Sequence, residues 1–198
     1  MVAWLARPVG DCYGEKTTVR DLEWYCTEYF DKSAALFMSS GTMSNQVALR
    51  ALTSPGDEII LHAACHINFF EAAQTADLAR VALYPIGRVG APATDEDAGI
   101  LSSEGLRQAI DGKARLNSFY ATPRLVVIEN TVNAAGGTIH PLAAMAELRT
   151  VAHELGMTVY LDGARLLNAC VARGVSPRAY AAEVDALSVC FSKGLCAP

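Results

Sequence analysis

Short apolar runs alternate with amphipathic stretches along this chain, and the alternation predicts a parallel sheet flanked by helices. An uninterrupted apolar run of four to eight residues is typical of a strand that is buried on both faces. The six candidate strands are centred on Leu36, Ile60, Leu83, Val127, Val159 and Val189. The helices predicted between them span residues 17–30, 46–52, 66–78, 103–110, 141–156 and 164–173.

Strand and helix follow each other throughout, which indicates an α/β fold with a mostly parallel sheet and helices on both faces. Residues 87–99, which carry glycine, proline and acidic residues, are typical of a surface loop. The sequence contains no internal repeat, low-complexity tract or linker. We therefore expect residues 1–198 to form a single domain.

Polar residues follow two of the predicted strands directly. Asp162 ends one apolar run, and Lys193 follows another. The carboxyl ends of parallel strands face the ligand crevice of an open sheet. A lysine that holds an aldehyde as a Schiff base and an aspartate that keeps a ring nitrogen protonated suit pyridoxal 5'-phosphate (PLP). Taken alone, the pair is also compatible with ordinary polar strand ends.

A second candidate site lies at the turn Ser40-Gly41-Thr42, which follows a predicted strand and opens a helix. Free backbone amides and the positive end of the helix dipole bind phosphate well at such a position. The glycine allows close approach of an anion, and the hydroxyl groups add donors. The alternative is a simple helix cap that binds nothing.

Two histidines and a cysteine raise the question of a metal site. His62, Cys65 and His66 could supply three ligands, but structural zinc requires four, and no fourth is near in sequence. We therefore expect no metal. His66 could instead lie over a cofactor ring, or be an ordinary structural histidine.

Two further polar residues also follow predicted strands. Glu129 could accept a hydrogen bond from a cofactor or merely stabilise its turn. Arg165 could bind a carboxylate or the hydroxyl side of a cofactor ring, or form an ion pair at a helix start.

Composition excludes several classes of partner. The chain has 198 residues, 52% of them hydrophobic and 19% charged, with a net charge of −5 and no basic run. Nucleic acid and anionic membranes are therefore not expected as partners. No apolar stretch is long enough to span a bilayer, and the first residues lack the pattern of a signal peptide. The 6 cysteines contain no Cys-x-x-Cys pair, so we expect a cytoplasmic protein with free thiols.

In order and spacing, these motifs resemble those of the threonine aldolases. The segments that carry the resemblance are Asp11–Glu15, Ser40–Asn45, Ala64–His66 with Glu71-Ala72, Glu129–Thr131 with Asn133 and Gly136-Gly137, Leu161–Arg165 and Ser192–Leu195. Those enzymes are PLP-dependent, have the aspartate-aminotransferase fold (fold type I) and are grouped with the β-eliminating lyases.

The resemblance implies a function and a set of roles. The chain is expected to cleave β-hydroxy-α-amino acids such as threonine to glycine and an aldehyde by a retro-aldol reaction. The implied catalytic residues are Lys193, His66 and Asp162; the implied cofactor-binding residues are Gly41, Thr42, His66, Glu129, Asp162, Arg165 and Lys193; the implied substrate-binding residues are Arg165 and Tyr13. A homodimer or homotetramer is expected, with a small amino acid as the substrate.

The chain departs from the family pattern at two positions. Phe119 and Val132 stand where members of the family often have histidine, and neither residue can transfer a proton. A related threonine transaldolase or β-eliminating lyase, or an inactive PLP-binding fragment, therefore remains an alternative. The antiparallel strand and small C-terminal domain of the family are not expected within this chain, and a further polypeptide could supply them.

Overall fold

The computed structural model describes residues 17–87, 98–112 and 119–197. Two compact units divide between Met38 and Ser39. The single domain expected from the sequence stays a prediction.

The first unit contains helix α1 (Thr17–Phe30), as its helical periodicity predicted. The strand predicted around Leu36 is wrong, because residues 34–38 have no strand pairing. The physical reason is visible at Phe37, whose backbone N–H donates to the Glu23 carboxylate at 2.8 Å rather than to a neighbouring strand. An apolar run becomes a strand only where another strand satisfies its backbone.

The second unit is built on a five-stranded parallel sheet. The strands are β1 (Asp57–His62), β2 (Ala82–Ile86), β3 (Thr122–Glu129), β4 (Thr158–Gly163) and β5 (Ala186–Val189). Their order is β2-β1-β3-β4-β5, and every neighbouring pair is parallel. The predicted α/β fold class is confirmed, as are the five predicted strands of this unit.

Helices cover the sheet in the second unit. They are α2 (Gly41–Leu52), α3 (His66–Phe69), α4 (Ser103–Asp111), α5 (Leu142–Glu154), α6 (Leu166–Arg173) and α7 (Pro177–Ala182). Successive residues of a strand point to opposite faces of its sheet. Ile59 and Ile60 of β1 are both fully buried, as are Val126 and Val127 of β3. Both faces of the sheet centre are therefore covered by protein, as the continuous apolar runs indicated.

Two helical segments differ from the sequence predictions. The helix expected over residues 66–78 is broken into α3 and a π-helical turn, Thr75–Ala79, with Ala72 and Ala73 at positive φ between them. Helix α2 begins at Gly41 rather than Gln46, because the Ser40 hydroxyl caps it by accepting from Met43 N–H.

No helix among the described residues is long and apolar enough to cross a membrane.

Candidate active site

An open cleft of about 280 Å³ lies where the predicted site residues meet. It sits past the carboxyl ends of β3, β4 and β5 and beside the start of α2. Seven of the eight predicted site residues line it: Gly41, Thr42, His66, Glu129, Asp162, Arg165 and Lys193. The eighth, Tyr13, lies outside the described residues. Because β4 and β5 are adjacent and parallel, the segments that bear Asp162 and Lys193 are neighbours, as expected.

The start of α2 forms one end of the cleft. Ser40 satisfies the Met43 amide, and helix geometry leaves the Gly41 and Thr42 amides without an intrahelical acceptor. A Cβ atom at Gly41 would lie 2.8 Å from the Cys190 sulfur, so the glycine is required by close packing against the segment after β5. Gly41 and Thr42 both line the cleft, and backbone amides at a helix start suit an anion.

Two cationic side chains line the same cleft. Within the described residues, no carboxylate lies within 4.0 Å of the Arg165 guanidinium or the Lys193 ammonium. Burial raises the pKa of the Cys190 thiol, although the nearby Lys193 charge opposes the shift. The Arg165 guanidinium and the Lys193 amine therefore have no carboxylate partner among the described residues and are available to a ligand in the cleft.

Asp162 is buried at the end of β4, with both carboxylate oxygens engaged. Oδ1 accepts from the Ala164 backbone N–H at 3.2 Å, and Oδ2 accepts from Asn45 Nδ2 at 2.8 Å. The Asn45 amide is itself oriented, because its oxygen accepts from the Tyr160 hydroxyl at 2.8 Å. Burial, together with the charge of Asp162, raises the pKa of Tyr160, so that this hydroxyl remains a donor. Asp162 is therefore fixed in one orientation.

Glu129 accepts two backbone hydrogen bonds at the end of β3. Its Oε2 accepts from the His66 backbone N–H at 2.7 Å, and its Oε1 accepts from the Asn133 N–H at 3.1 Å. Burial raises the pKa of this carboxyl, and the Asn133 hydrogen bond opposes the shift. These contacts stabilise the turn and fix the start of α3 at the rim of the cleft. Glu129 also lines the cleft, and its role in binding a cofactor stays a prediction.

His66 contacts a carboxylate for which the sequence suggested no role. His66 Nδ1 lies 3.1 Å from Glu71 Oε1, and Glu71 also accepts from Asn45 Nδ2 at 2.7 Å and Gln46 Nε2 at 2.5 Å. Glu71, Asn45 and Gln46 are all buried. A polar residue at a position that the helical pattern buries could have indicated this cluster. No spacing in the sequence, however, shows that Glu71 contacts Asn45 and Gln46.

The three-ligand metal alternative of His62, Cys65 and His66 is not formed by the described residues. His62 Nδ1 accepts from the Ala64 backbone N–H, and Cys65 is buried with a pKa raised by burial. The ligand atoms that do approach within 4.8 Å of one another belong to His66, Glu71 and Asp162. Amide donors already bind both of these carboxylates, so the group is a polar network in this structure, and the absence of a metal stays a prediction.

The two positions that depart from the resembled pattern lie away from this cleft. Phe119 is 91% exposed, whereas Val132 is buried and packs against Ala64, Ala98 and Ala135. Neither residue lines the cleft. Val132 is therefore a core residue.

Comparison with known proteins gives consistent matches over the whole chain. Residues 2–198 match the family model of β-eliminating lyases. Low-specificity L-threonine aldolase 1 of Arabidopsis thaliana is 33% identical over 190 residues, which cover 95% of this chain and 51% of that protein. Low specificity L-threonine aldolase of Escherichia coli (strain K12) is 32% identical over 199 residues, which cover 99% of this chain and 55% of that protein.

A solved structure shows the same fold. The structure of Leishmania major threonine aldolase superposes with a TM-score of 0.78 at 22% identity, over 95% of this chain and 52% of that chain. The chain thus spans about half the length of the curated relatives that it matches.

Proposed function

The chain belongs to the β-eliminating lyase family, and from this premise we propose that it binds PLP and cleaves β-hydroxy-α-amino acids such as threonine to glycine and an aldehyde. The observation that carries the proposal is the meeting of an anion-binding helix start, a lysine, an arginine and a buried aspartate in one cleft. The similarity to low-specificity threonine aldolases gives the substrate class.

The groups that line the cleft are of the chemical types that PLP requires. The amides of Gly41 and Thr42 would bind the phosphate, and the amine of Lys193 would hold the aldehyde carbon covalently. The carboxylate of Asp162, already oriented by Asn45 and Ala164, would keep the ring nitrogen protonated. The cofactor supplies an electron sink for the charge left on the substrate α-carbon.

The remaining residues act on the substrate. The Arg165 guanidinium would bind the substrate carboxylate or the hydroxyl side of the cofactor, and the ring of His66 would lie beside the cofactor. Retro-aldol cleavage also needs a base for the β-hydroxyl proton. Since Phe119 and Val132 carry no such group, we assign this base to His66, which lines the cleft with part of its ring exposed.

The same substitutions favour a second candidate, a threonine transaldolase or β-eliminating lyase that uses the same cofactor. The two differ in their products. With threonine alone, an aldolase releases glycine and acetaldehyde, whereas a transaldolase requires an added acceptor aldehyde. Product analysis with and without that aldehyde separates them.

The cofactor proposal is tested by adding PLP, recording the absorbance spectrum, reducing with borohydride and mapping the labelled peptide. We expect the label on Lys193. The matched control is Lys193→Ala, which should lose the yellow absorbance and keep the unfolding transition of the parent chain. A reducible label on a different lysine would overturn this assignment.

We further propose a homodimer or homotetramer in which a second copy contributes to the cleft, as the family resemblance implies. Light scattering of the purified protein tests the oligomer.

We also propose a cytoplasmic location. The cysteines at positions 26, 65, 170, 190 and 196 are free thiols, which supports a reducing compartment.

A further inference from the structure

Three side-chain nitrogens converge on the buried carboxylate of Glu71. Asn45 Nδ2 and Gln46 Nε2 approach it from α2, at 2.7 and 2.5 Å, and His66 Nδ1 approaches it from α3 at 3.1 Å. The side chain of Glu71 is 1% exposed, so water does not compete for these oxygens. A carboxylate in this place has only acceptor sites to offer.

This arrangement determines which nitrogen of His66 carries the proton. A neutral imidazole has one N–H and one lone pair, and the hydrogen bond made by one nitrogen decides the role of the other. Facing an acceptor, Nδ1 must donate. Nε2 then bears the lone pair and is the nitrogen that can take a proton, on a side chain that lines the cleft.

Asn45 extends the arrangement to Asp162. Its amide oxygen accepts from Tyr160, which turns its NH₂ group toward the two carboxylates, and that group donates to both Glu71 and Asp162. A single amide therefore sets the relative positions of the Asp162 carboxylate, which would bind the cofactor, and the Glu71 carboxylate, which contacts His66.

We propose that Glu71 is a positioning residue, which holds His66 in the Nδ1–H tautomer so that Nε2 accepts the β-hydroxyl proton of the substrate. The hydroxyl proton moves to Nε2, and the O–H electron pair becomes the second bond of the aldehyde carbonyl. The Cα–Cβ bond breaks, and its electron pair stays on the α-carbon. This proposal rests on the proposed function.

The first test is the tautomer itself, measured without cofactor by ¹⁵N NMR of the histidine rings in the assembly that the chain forms in solution. His66→Asn assigns the resonances. At a pH where the ring is neutral, we expect a protonated Nδ1 and an unprotonated Nε2. An Nε2–H ring at His66 in the unaltered chain overturns the proposal, whatever the variants do.

The second test removes the acceptor with Glu71→Met. We expect loss of the Nδ1–H preference and, in a PLP-loaded assembly that turns over threonine, a fall in kcat of roughly a hundredfold, the scale of general-base catalysis, with KM little changed. The matched control is Thr75→Val, which removes the other acceptor of Gln46 without touching His66. Thr75→Val should leave the tautomer and kcat unchanged, and an equal loss of kcat in both variants would mean a purely structural role.

The two proposals fail in different ways. An Nδ1–H ring at His66 in a chain that never binds PLP overturns the proposed function and leaves the Glu71 assignment standing. Turnover by a chain whose His66 is Nε2–H overturns the Glu71 assignment alone.

Discussion

At the scale of single residues, His140 links the stability of the second unit to pH. Burial lowers the pKa of this histidine from 6.5 to about 4, and the charge of the nearby His62 adds to the shift. Between these two values the unfolded chain binds a proton that the folded chain does not. The contribution of His140 to the free energy of unfolding therefore falls as the pH falls through this window.

We expect a loss of roughly 3 kcal/mol between pH 6.5 and 4, from about 1.4 kcal/mol for each pKa unit. Urea unfolding at several pH values measures it. His62, whose pKa is also lowered by burial, acts in the same direction. His140→Gln keeps an acceptor for the Leu101 amide and should reduce the slope. A wild-type stability that is flat over this window would contradict the expectation.

Asp162 carries the second prediction at this scale. Asp162→Asn removes the charge opposite the cofactor ring and keeps an oxygen for Asn45. We expect turnover of threonine by an active assembly to fall by about a hundredfold, or about 3 kcal/mol of barrier, the size of other preorganised electrostatic effects. PLP affinity, measured by absorbance titration, should fall less. Near-parental turnover would exclude the proposed role.

At the scale of elements, the start of α2 can be tested through its packing. Gly41→Ala places a methyl group against the Cys190 sulfur, which must move or push the helix start away. We expect PLP affinity to fall by about tenfold, the lower end of overpacking penalties.

The rescue for this variant is Cys190→Ala, which removes the sulfur. The double variant should recover affinity for PLP, and Cys190→Ala alone should bind as the parent does. If the double variant binds no better than Gly41→Ala, the steric explanation is wrong, and the glycine is required for direct approach of the anion.

The sequence predicted those parts of the fold that depend on local pattern. The apolar runs at β1, β3 and β4 and the periodicity of α5 were sufficient, because these elements bury most of their apolar side chains. The run around Leu36 failed because a strand also depends on a pairing partner, which no local pattern encodes. The helix predicted over 66–78 failed because the backbone turns to positive φ at Ala72 and Ala73, which the apolar periodicity does not indicate.

The site likewise divides into residues that local sequence pattern predicts and residues that depend on tertiary packing. Asp162 and Lys193 could be predicted because strand ends in a parallel sheet converge on one edge. Asn45 and Glu71 could not, since their pairing exists only after α2 and the segment that follows α3 have packed together. The role of Glu129 was left open for the same reason, because its two amide donors come from the start of α3 and the turn after β3.

At the scale of the whole molecule, β5 defines an edge of the sheet. Among the described strands it pairs with β4 alone, so one side of its backbone lacks a strand partner. Open edges recruit other strands. The chain also spans about half of its curated relatives. We therefore expect residues 1–198 alone to show little aldolase activity and to remain in solution only in association with another chain.

Light scattering and an aldehyde-release assay test this expectation. The carboxyl-terminal half of a low-specificity threonine aldolase, added as a second polypeptide or fused to the chain, should restore both solubility and turnover. An unrelated polypeptide of similar length is the control. A monodisperse, fully active monomer of the 198 residues would contradict the expectation.

The contacts of Asn45 also bear on the order in which the molecule folds. Its side chain bonds partners 26, 115, 117 and 143 residues away in the chain. Contacts between residues so distant in sequence require the closure of long loops and form slowly, after local structure is in place. The cleft therefore cannot be complete in any partly folded species that lacks β4 or β5. Cofactor colour would appear only in the last phase of refolding, later than the helical signal.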